Sequence, residues 1–180
     1  SPFDRGFLWG DGIYEVTPCF DGKLFRLEDH LERLYRSLKY VRIDPGVTIE
    51  EMHNITLKTL SANEDRLETG GMYRLGHWIT RGIDNPSTSV LEAGPSTVMV
   101  FLRQADVTQI AKNQATGVRL SVTATRRNPP ECIEARAKVT SKMNQILAEL
   151  DAASNDSLSL MLDIQGNVAE NSVANFFIVR

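Results

Sequence analysis

The chain has 180 residues, 42% of them hydrophobic, enough to bury a core in one domain or two small ones. Lys and Arg number 20 against 23 Asp and Glu, a formal charge of -3, and neither sign is gathered into a run that would suit nucleic acid or an anionic membrane surface. No apolar stretch approaches the roughly 20 residues of a membrane-spanning helix, and Ser1-Pro2-Phe3-Asp4-Arg5 lacks the basic-then-apolar order of a secretory signal, so a cytoplasmic protein is expected.

Gly12 to Phe20 alternates in the manner of a strand, and Asp21-Gly22 reads as the turn of a hairpin into a second strand. Leu27, Leu31, Leu34, Leu38 and Val41 then recur at helical spacing, with Glu28 and Asp29 in the first turn, where the helix dipole favours acids. Thr48-Ile49-Glu50-Glu51 is a capping-box pattern that opens a second helix carrying Met52, Thr56 and Leu60 on one face. Met72 to Thr80 and Thr97 to Leu102 have the β-branched and aromatic content of strands that join the hairpin.

These elements make a small α+β domain over residues 1–103. The polar stretch 104–115 reads as a linker, and 116–180 as the first part of a second domain. That part is expected to hold a strand over Val118 to Thr125, a loop broken by Pro129-Pro130, a helix from about Ser141 to Ala153 and a strand over Leu158 to Asp163. A turn at Gln165-Gly166-Asn167 and a strand over Asn175 to Val179 follow. The sequence stops inside an apolar run, Phe176-Phe177-Ile178-Val179-Arg180, that reads as a buried strand, so the natural polypeptide is expected to continue or another chain to complete the fold.

Cys19 and Cys132 are too few and too far apart for a disulfide framework, and His30, His53 and His77 lack ligand spacing, so no metal site is expected. What remains is Lys138, in a loop before a helix within Ala137-Lys138-Val139-Thr140, and Glu170, after a strand and turn within Gly166-Asn167-Val168-Ala169-Glu170. By composition alone the pair is unremarkable, because a lone lysine is usually a solvated surface group.

A wider pattern surrounds that pair. Asp4-Arg5-Gly6-Phe7, Gly10-Asp11-Gly12-Ile13-Tyr14-Glu15, Leu24-Phe25-Arg26-Leu27 running to His30-Leu31-Glu32-Arg33-Leu34, Lys138 with Leu147-Ala148, and Leu162-Asp163 to Glu170 with Asn175-Phe176 run in register over nearly the whole chain. Together they resemble the class IV, or fold-type IV, aminotransferases, a family of branched-chain and D-amino-acid aminotransferases, (R)-amine transaminases and aminodeoxychorismate lyases.

The resemblance implies a two-domain α+β fold of the D-amino-acid aminotransferase type, truncated at both ends. It also implies pyridoxal 5'-phosphate as cofactor, a small-molecule amino donor, a 2-oxo acid acceptor and a homodimer. Lys138 would hold the cofactor through its amine and then carry the proton to and from the substrate carbon. Glu170 would pair with the pyridine nitrogen, and Arg33 would bind the phosphate, a task suited to a forked cation. Helical spacing sets Arg33 beside the apolar stripe rather than on it, which permits that role without requiring it.

Arg74 shares a strand face with Met72, Gly76 and Trp78 and resembles an arginine that some branched-chain members use near the substrate carboxylate; a cross-strand ion pair is the other reading. Trp9 and Tyr14 fall where members place aromatic groups around the substrate, although packing in the first sheet accounts for them equally. The substrate signature is mixed. Met143 stands where several branched-chain members have a tyrosine, and the Arg and His with which D-amino-acid enzymes hold a carboxylate are not evident in Ile83-Asp84-Asn85-Pro86. The segment that supplies phosphate-binding backbone donors at a helix start in the family is also missing. A lyase of the aminodeoxychorismate type and a non-catalytic module of the same fold are the alternatives to a transaminase.

Overall fold

The computed structural model describes residues 1–84, 89–90 and 93–180. The described part of the chain divides into two units, Ser1–Val107 with Arg136–Ser141 and Thr108–Ala135 with Lys142–Arg180.

In the first unit a short helix α1 (Arg5–Trp9), capped by the Asp4 carboxylate on the Gly6 N–H, precedes strands β1 (Gly12–Phe20) and β2 (Lys23–Leu24). Helices α2 (Leu27–Val41) and α3 (Ile49–Ser61) follow, then a 3-10 turn over Glu64–Arg66 and strands β3 (Met72–Thr80) and β4 (Thr97–Gln104). The strands form one antiparallel sheet in the order β2-β1-β3-β4.

The apolar stripe read from the sequence is the face α2 buries: Leu27, Leu31, Leu34 and Leu38 pack with Ile13 and Ile79 of the sheet and with Met52 of α3. The capping box at Thr48 and Glu51 is formed in both directions. Alternation along β3 sends Tyr73, Leu75, His77 and Ile79 inward and leaves Arg74 exposed on the other face.

The stretch expected to be a linker is largely helical. Helix α4 (Val107–Thr116) occupies most of it, because Ala111, Lys112, Gln114 and Ala115 are strong helix formers despite their polarity. Gly117, at φ +71, ends it by returning its N–H to the Asn113 carbonyl, as a left-handed cap does. Residues 136–141 belong with the first unit rather than with the chain around them.

The second unit holds β5 (Leu120–Val122), α5 (Met143–Ala153), β6 (Leu158–Leu162) and β7 (Val168–Glu170), with strand order β5-β6-β7. Strand β5 is shorter than the alternating run suggested. The strand expected over Asn175 to Val179 is absent: Phe177, Ile178 and Val179 are 80%, 75% and 95% exposed. Apolar residues become a strand only where a neighbour supplies hydrogen bonds, and no ladder among the described residues reaches them.

The cluster under α2 sets the stability of the first unit. Leu34→Ala, at a fully buried position, is expected to destabilise the protein by about 2–5 kcal/mol, read as a lower urea midpoint at unchanged slope; a loss under 1 kcal/mol would contradict this packing.

Candidate active site

Lys138 is held by the backbone of β1. One edge of that strand is taken by β3, and beyond the two residues of β2 the other edge is free at Gly12 to Tyr14. Residues 138–140 fill that gap: the Tyr14 N–H donates to the Lys138 carbonyl at 2.9 Å, the Thr140 N–H to the Gly12 carbonyl at 2.9 Å, and Ile13 and Val139 form an antiparallel bridge.

Gly10 and Gly12 make the approach possible. A Cβ at Gly10, which sits at φ +64, would meet Ser141 at 3.0 Å, and one at Gly12 would meet the Ile79 carbonyl at 2.8 Å. The Thr140 hydroxyl completes the clip by donating to the Gly10 carbonyl at 2.7 Å. Asp11, between the glycines, takes Nε of both Arg5 and Arg81, at 2.9 and 2.8 Å, and Arg81 goes on to the Arg42 carbonyl at the end of α2. The Gly-Asp-Gly opening is thus a docking device for the lysine segment.

From that edge the half-buried Lys138 amine lies 4.9 Å from the centre of the Tyr14 ring, within reach of its negative face. Tyr14 begins an aromatic row across the open face of the sheet: its ring centre is 5.1 Å from that of Trp78, and Trp78 is 5.0 Å from Phe101. Gly76 creates the space for it, since a Cβ there would strike the Trp78 ring at 2.6 Å. Trp9, 65% exposed at the end of α1, makes no ring contact with this row among the described residues.

Arg33 stands on α2 against a residue the sequence reading did not single out. Glu15, fully buried on the inner face of β1, accepts from Arg33 Nε at 2.6 Å and Nη2 at 2.7 Å, and lies 3.1 Å from His30 Nδ1. Burial pushes the Glu15 carboxyl up, but the hydrogen bonds from His30, Arg33 and the Val16 N–H, with the Arg33 charge, outweigh it and bring the group down to about 2. The same fork raises the pKa of Arg33, and the Tyr14 phenol lies close enough to act on its charge. Arg33 Nη1 has no hydrogen-bond partner among the described residues, and the side chain is 40% exposed. The available signal was an acid at an inward position of an alternating strand.

Ser37 joins the two elements, donating from its hydroxyl to the Arg33 carbonyl at 2.8 Å and receiving the Lys138 N–H at 3.4 Å. Behind Glu15, its cross-strand neighbour His77 is fully buried; burial drives its pKa down to about 4, so the ring is neutral near pH 7, with Nε2 2.8 Å from the Thr56 hydroxyl.

Glu170, in the second unit at the end of β7, is paired with Arg127 Nε. The turn beyond it is fixed by Asn171, whose amide donates to the Ser159 carbonyl and whose oxygen accepts from the Val173 and Ala174 N–H groups. Arg74 is exposed on the aromatic face of the first unit and makes no ion pair among the described residues, so the cross-strand ion pair is not formed. Lys138, Tyr14 and Arg33 are therefore gathered around the start of β1, while Glu170 and Arg127 form a separate pair in the other unit.

Residues 12–180 match the family model of amino-transferase class IV. The chain belongs to the class IV aminotransferase family. It is similar to a putative branched-chain-amino-acid aminotransferase of Methanocaldococcus jannaschii, at 32% identity over all of this chain and 60% of that protein. It is also similar to the aminodeoxychorismate lyase of Bacillus subtilis, at 31% identity over 98% of this chain and 58% of that one. Among solved structures it matches the branched-chain aminotransferase of Thermoproteus uzoniensis with norvaline, with a TM-score of 0.78 and 25% identity over 96% of this chain and 57% of that one. The chain thus has the fold of class IV aminotransferases over somewhat less than two thirds of these relatives' length. No helix among the described residues is long and apolar enough to cross a membrane.

The buried groups of this site leave a pH signature. Folded Glu15 titrates near 2 against an ordinary 4.5, and folded His77 near 4 against 6.5, so in each window the unfolded chain binds more protons than the folded one. Both contributions are present at neutral pH; that of His77 is lost as pH falls from 6.5 to 4, and that of Glu15 as it falls from 4.5 to 2. Each amounts to roughly 3–4 kcal/mol at roughly 1.4 kcal/mol per pKa unit. Urea titrations at stepped pH should show both stages, with Glu15→Gln removing the lower and His77→Gln the upper; identical profiles in the variants would contradict the assignment.

Proposed function

We propose that the protein to which this chain belongs is a pyridoxal-phosphate-dependent transaminase that moves an amino group from an amino acid or amine to a 2-oxo acid. The observation that carries the reading is the Lys138 amine, half-buried and pinned by backbone hydrogen bonds against Tyr14 rather than free at the surface.

The side chains suit the cofactor. An amine at Lys138 can hold an aldehyde, the unpaired Nη1 of Arg33 can donate to a phosphate, and Glu170, paired with Arg127, can hold a protonated ring nitrogen. Bound pyridoxal phosphate supplies an electron-accepting ring that stabilises negative charge at the substrate carbon.

The remaining work falls to the protein. The β1 edge fixes where Lys138 begins, so its amine can reach a proton on the substrate carbon and return it from a constant direction. Glu15 holds Arg33 so that its Nη1 donors are oriented before an anion arrives. Tyr14 and Trp78 give an apolar floor that excludes water, and Arg74 supplies positive charge further along the same face for a substrate carboxylate. Trp9 has no contact that favours its expected part in substrate binding. The reading includes a homodimer and a cytoplasmic location, with which the free Cys19 and Cys132 are compatible.

Borohydride reduction of the purified protein with pyridoxal phosphate, followed by peptide mapping, is expected to place the label on Lys138. A label on Lys142 or on no lysine would overturn the assignment. Lys138→Arg is expected to lower kcat by roughly a hundredfold or more. An amino donor supplied without acceptor should release one equivalent of 2-oxo acid per site; turnover without that release would favour the lyase.

A further inference from the structure

The end of α2 is closed by a side chain from another element. Carbonyls in the last turn of a helix have no helical partner. Those of Leu38 and Lys39 take the N–H groups of Ile43 and Arg42, while those of Val41 and Arg42 take Nη2 and Nη1 of Arg81, each at 2.9 Å. A cation there also meets the favourable end of the helix dipole. The other side of the same guanidinium grips Asp11, with Nε 2.8 Å from Oδ2 and Nη2 3.1 Å from Oδ1. Arg81 thus spans two elements with one rigid fork, and its side chain is only 15% exposed.

Both elements hold the lysine segment. Asp11 lies between Gly10 and Gly12, whose carbonyls take the Thr140 hydroxyl and N–H. Helix α2 carries Ser37, whose hydroxyl takes the Lys138 N–H. Residues 138–140 therefore rest on two supports, and Arg81 joins those supports directly. Glu15 and Arg33 tie β1 to α2 at one other point. A single tie is a pivot, about which the end of the helix that carries Ser37 and Val41 can still swing; a second tie at that end removes the freedom. Arg5 shares Asp11 with Arg81 but continues to Asp84 rather than to α2, so it does not close this circuit.

We propose that Arg81 is a positioning residue for Lys138: by clamping Asp11 to the end of α2 it sets the spacing of the two supports, and with it the point from which the amine acts. This rests on the transaminase reading only in taking Lys138 as the residue that carries the cofactor.

The test is amide hydrogen exchange together with a pH titration of visible absorbance, both on the cofactor-loaded protein. In Arg81→Met the Tyr14 and Thr140 amides, whose partners are the Lys138 and Gly12 carbonyls, are expected to exchange roughly tenfold or more faster, the worth of a charge-assisted contact. The Val16 amide, bonded to Glu15, should keep its rate. The midpoint of the absorbance titration should move by roughly one pH unit, the equivalent of a tenfold change, because the surroundings of the amine change with its origin. Arg81→Lys keeps a charge beside Asp11 but offers one nitrogen in place of three, so both effects should be intermediate; this milder variant carries the test if Arg81→Met does not fold. Asp84→Asn, which releases only Arg5, should change neither readout. Exchange that rises equally at Val16, unchanged exchange at Tyr14 and Thr140, an unmoved titration, or the same loosening in Asp84→Asn would overturn the assignment. Failure of the transaminase reading shows separately, as absence of the borohydride label on Lys138 in the unsubstituted protein, and the positioning role then falls with it.

Discussion

A fully buried carboxylate is the constraint from which the site is built. Glu15 cannot lose its hydration without replacement, and the replacements come from α2: the Nε and Nη2 donors of Arg33, and His30 one helical turn before it. Once that exchange is made, α2 can neither slide nor rotate against β1 without stranding a charge in the core. The leucine stripe would tolerate small shifts, because dispersion has little direction, whereas a bidentate pair at 2.6 and 2.7 Å has one register. The apolar face supplies the larger part of the attraction, and the ion pair selects the arrangement.

From that register the position of Lys138 follows. The Ser37 hydroxyl, one turn beyond Arg33 on α2, receives the N–H of Lys138, while the β1 edge takes the carbonyl. The lysine backbone is therefore fixed by a helix and a strand that Glu15 has already locked together. Gly10 and Gly12 complete the arrangement by lacking side chains where residues 140 and 141 come close. A flexible amine is given a definite origin.

How much of this was legible follows the range of each interaction. The stripe of α2, the capping box of α3 and the alternation of β1 and β3 are written in neighbouring residues, and they appear in the structure much as the spacing predicts. Helix α4 was hidden by its polarity, which resembles a linker to any reading that weighs hydrophobicity before helix propensity. The missing strand near Phe177 failed for the opposite reason: its composition suits a strand, but a ladder needs a second backbone. Lys138, Arg33 and Tyr14 were singled out by resemblance, since nothing local marks them. Their meeting around β1 depends on contacts across more than a hundred residues, as the bond from Lys138 to Ser37 illustrates. Glu15 was overlooked although alternation assigns it to the inner face, because an acid there makes sense only when its partner on a distant helix is known.

The two faces of this sheet carry different kinds of polarity, and the difference is physical. With α2 and α3 covering one side, each charge there must be neutralised within the protein, and Glu15, His30, Arg33 and the neutral His77 do this at fixed distances. The other side has no such requirement, so it keeps a lysine over an aromatic ring and two arginines side by side. The same alternation of β1 produces both: Tyr14 and Glu15 are adjacent residues, one turned to the open face and one to the core. Moving the strand by one residue would exchange them, burying a phenol and exposing the carboxylate that holds α2. Register in β1 is thus where stability and chemistry meet, and the ion pair of Glu15 with Arg33 keeps it.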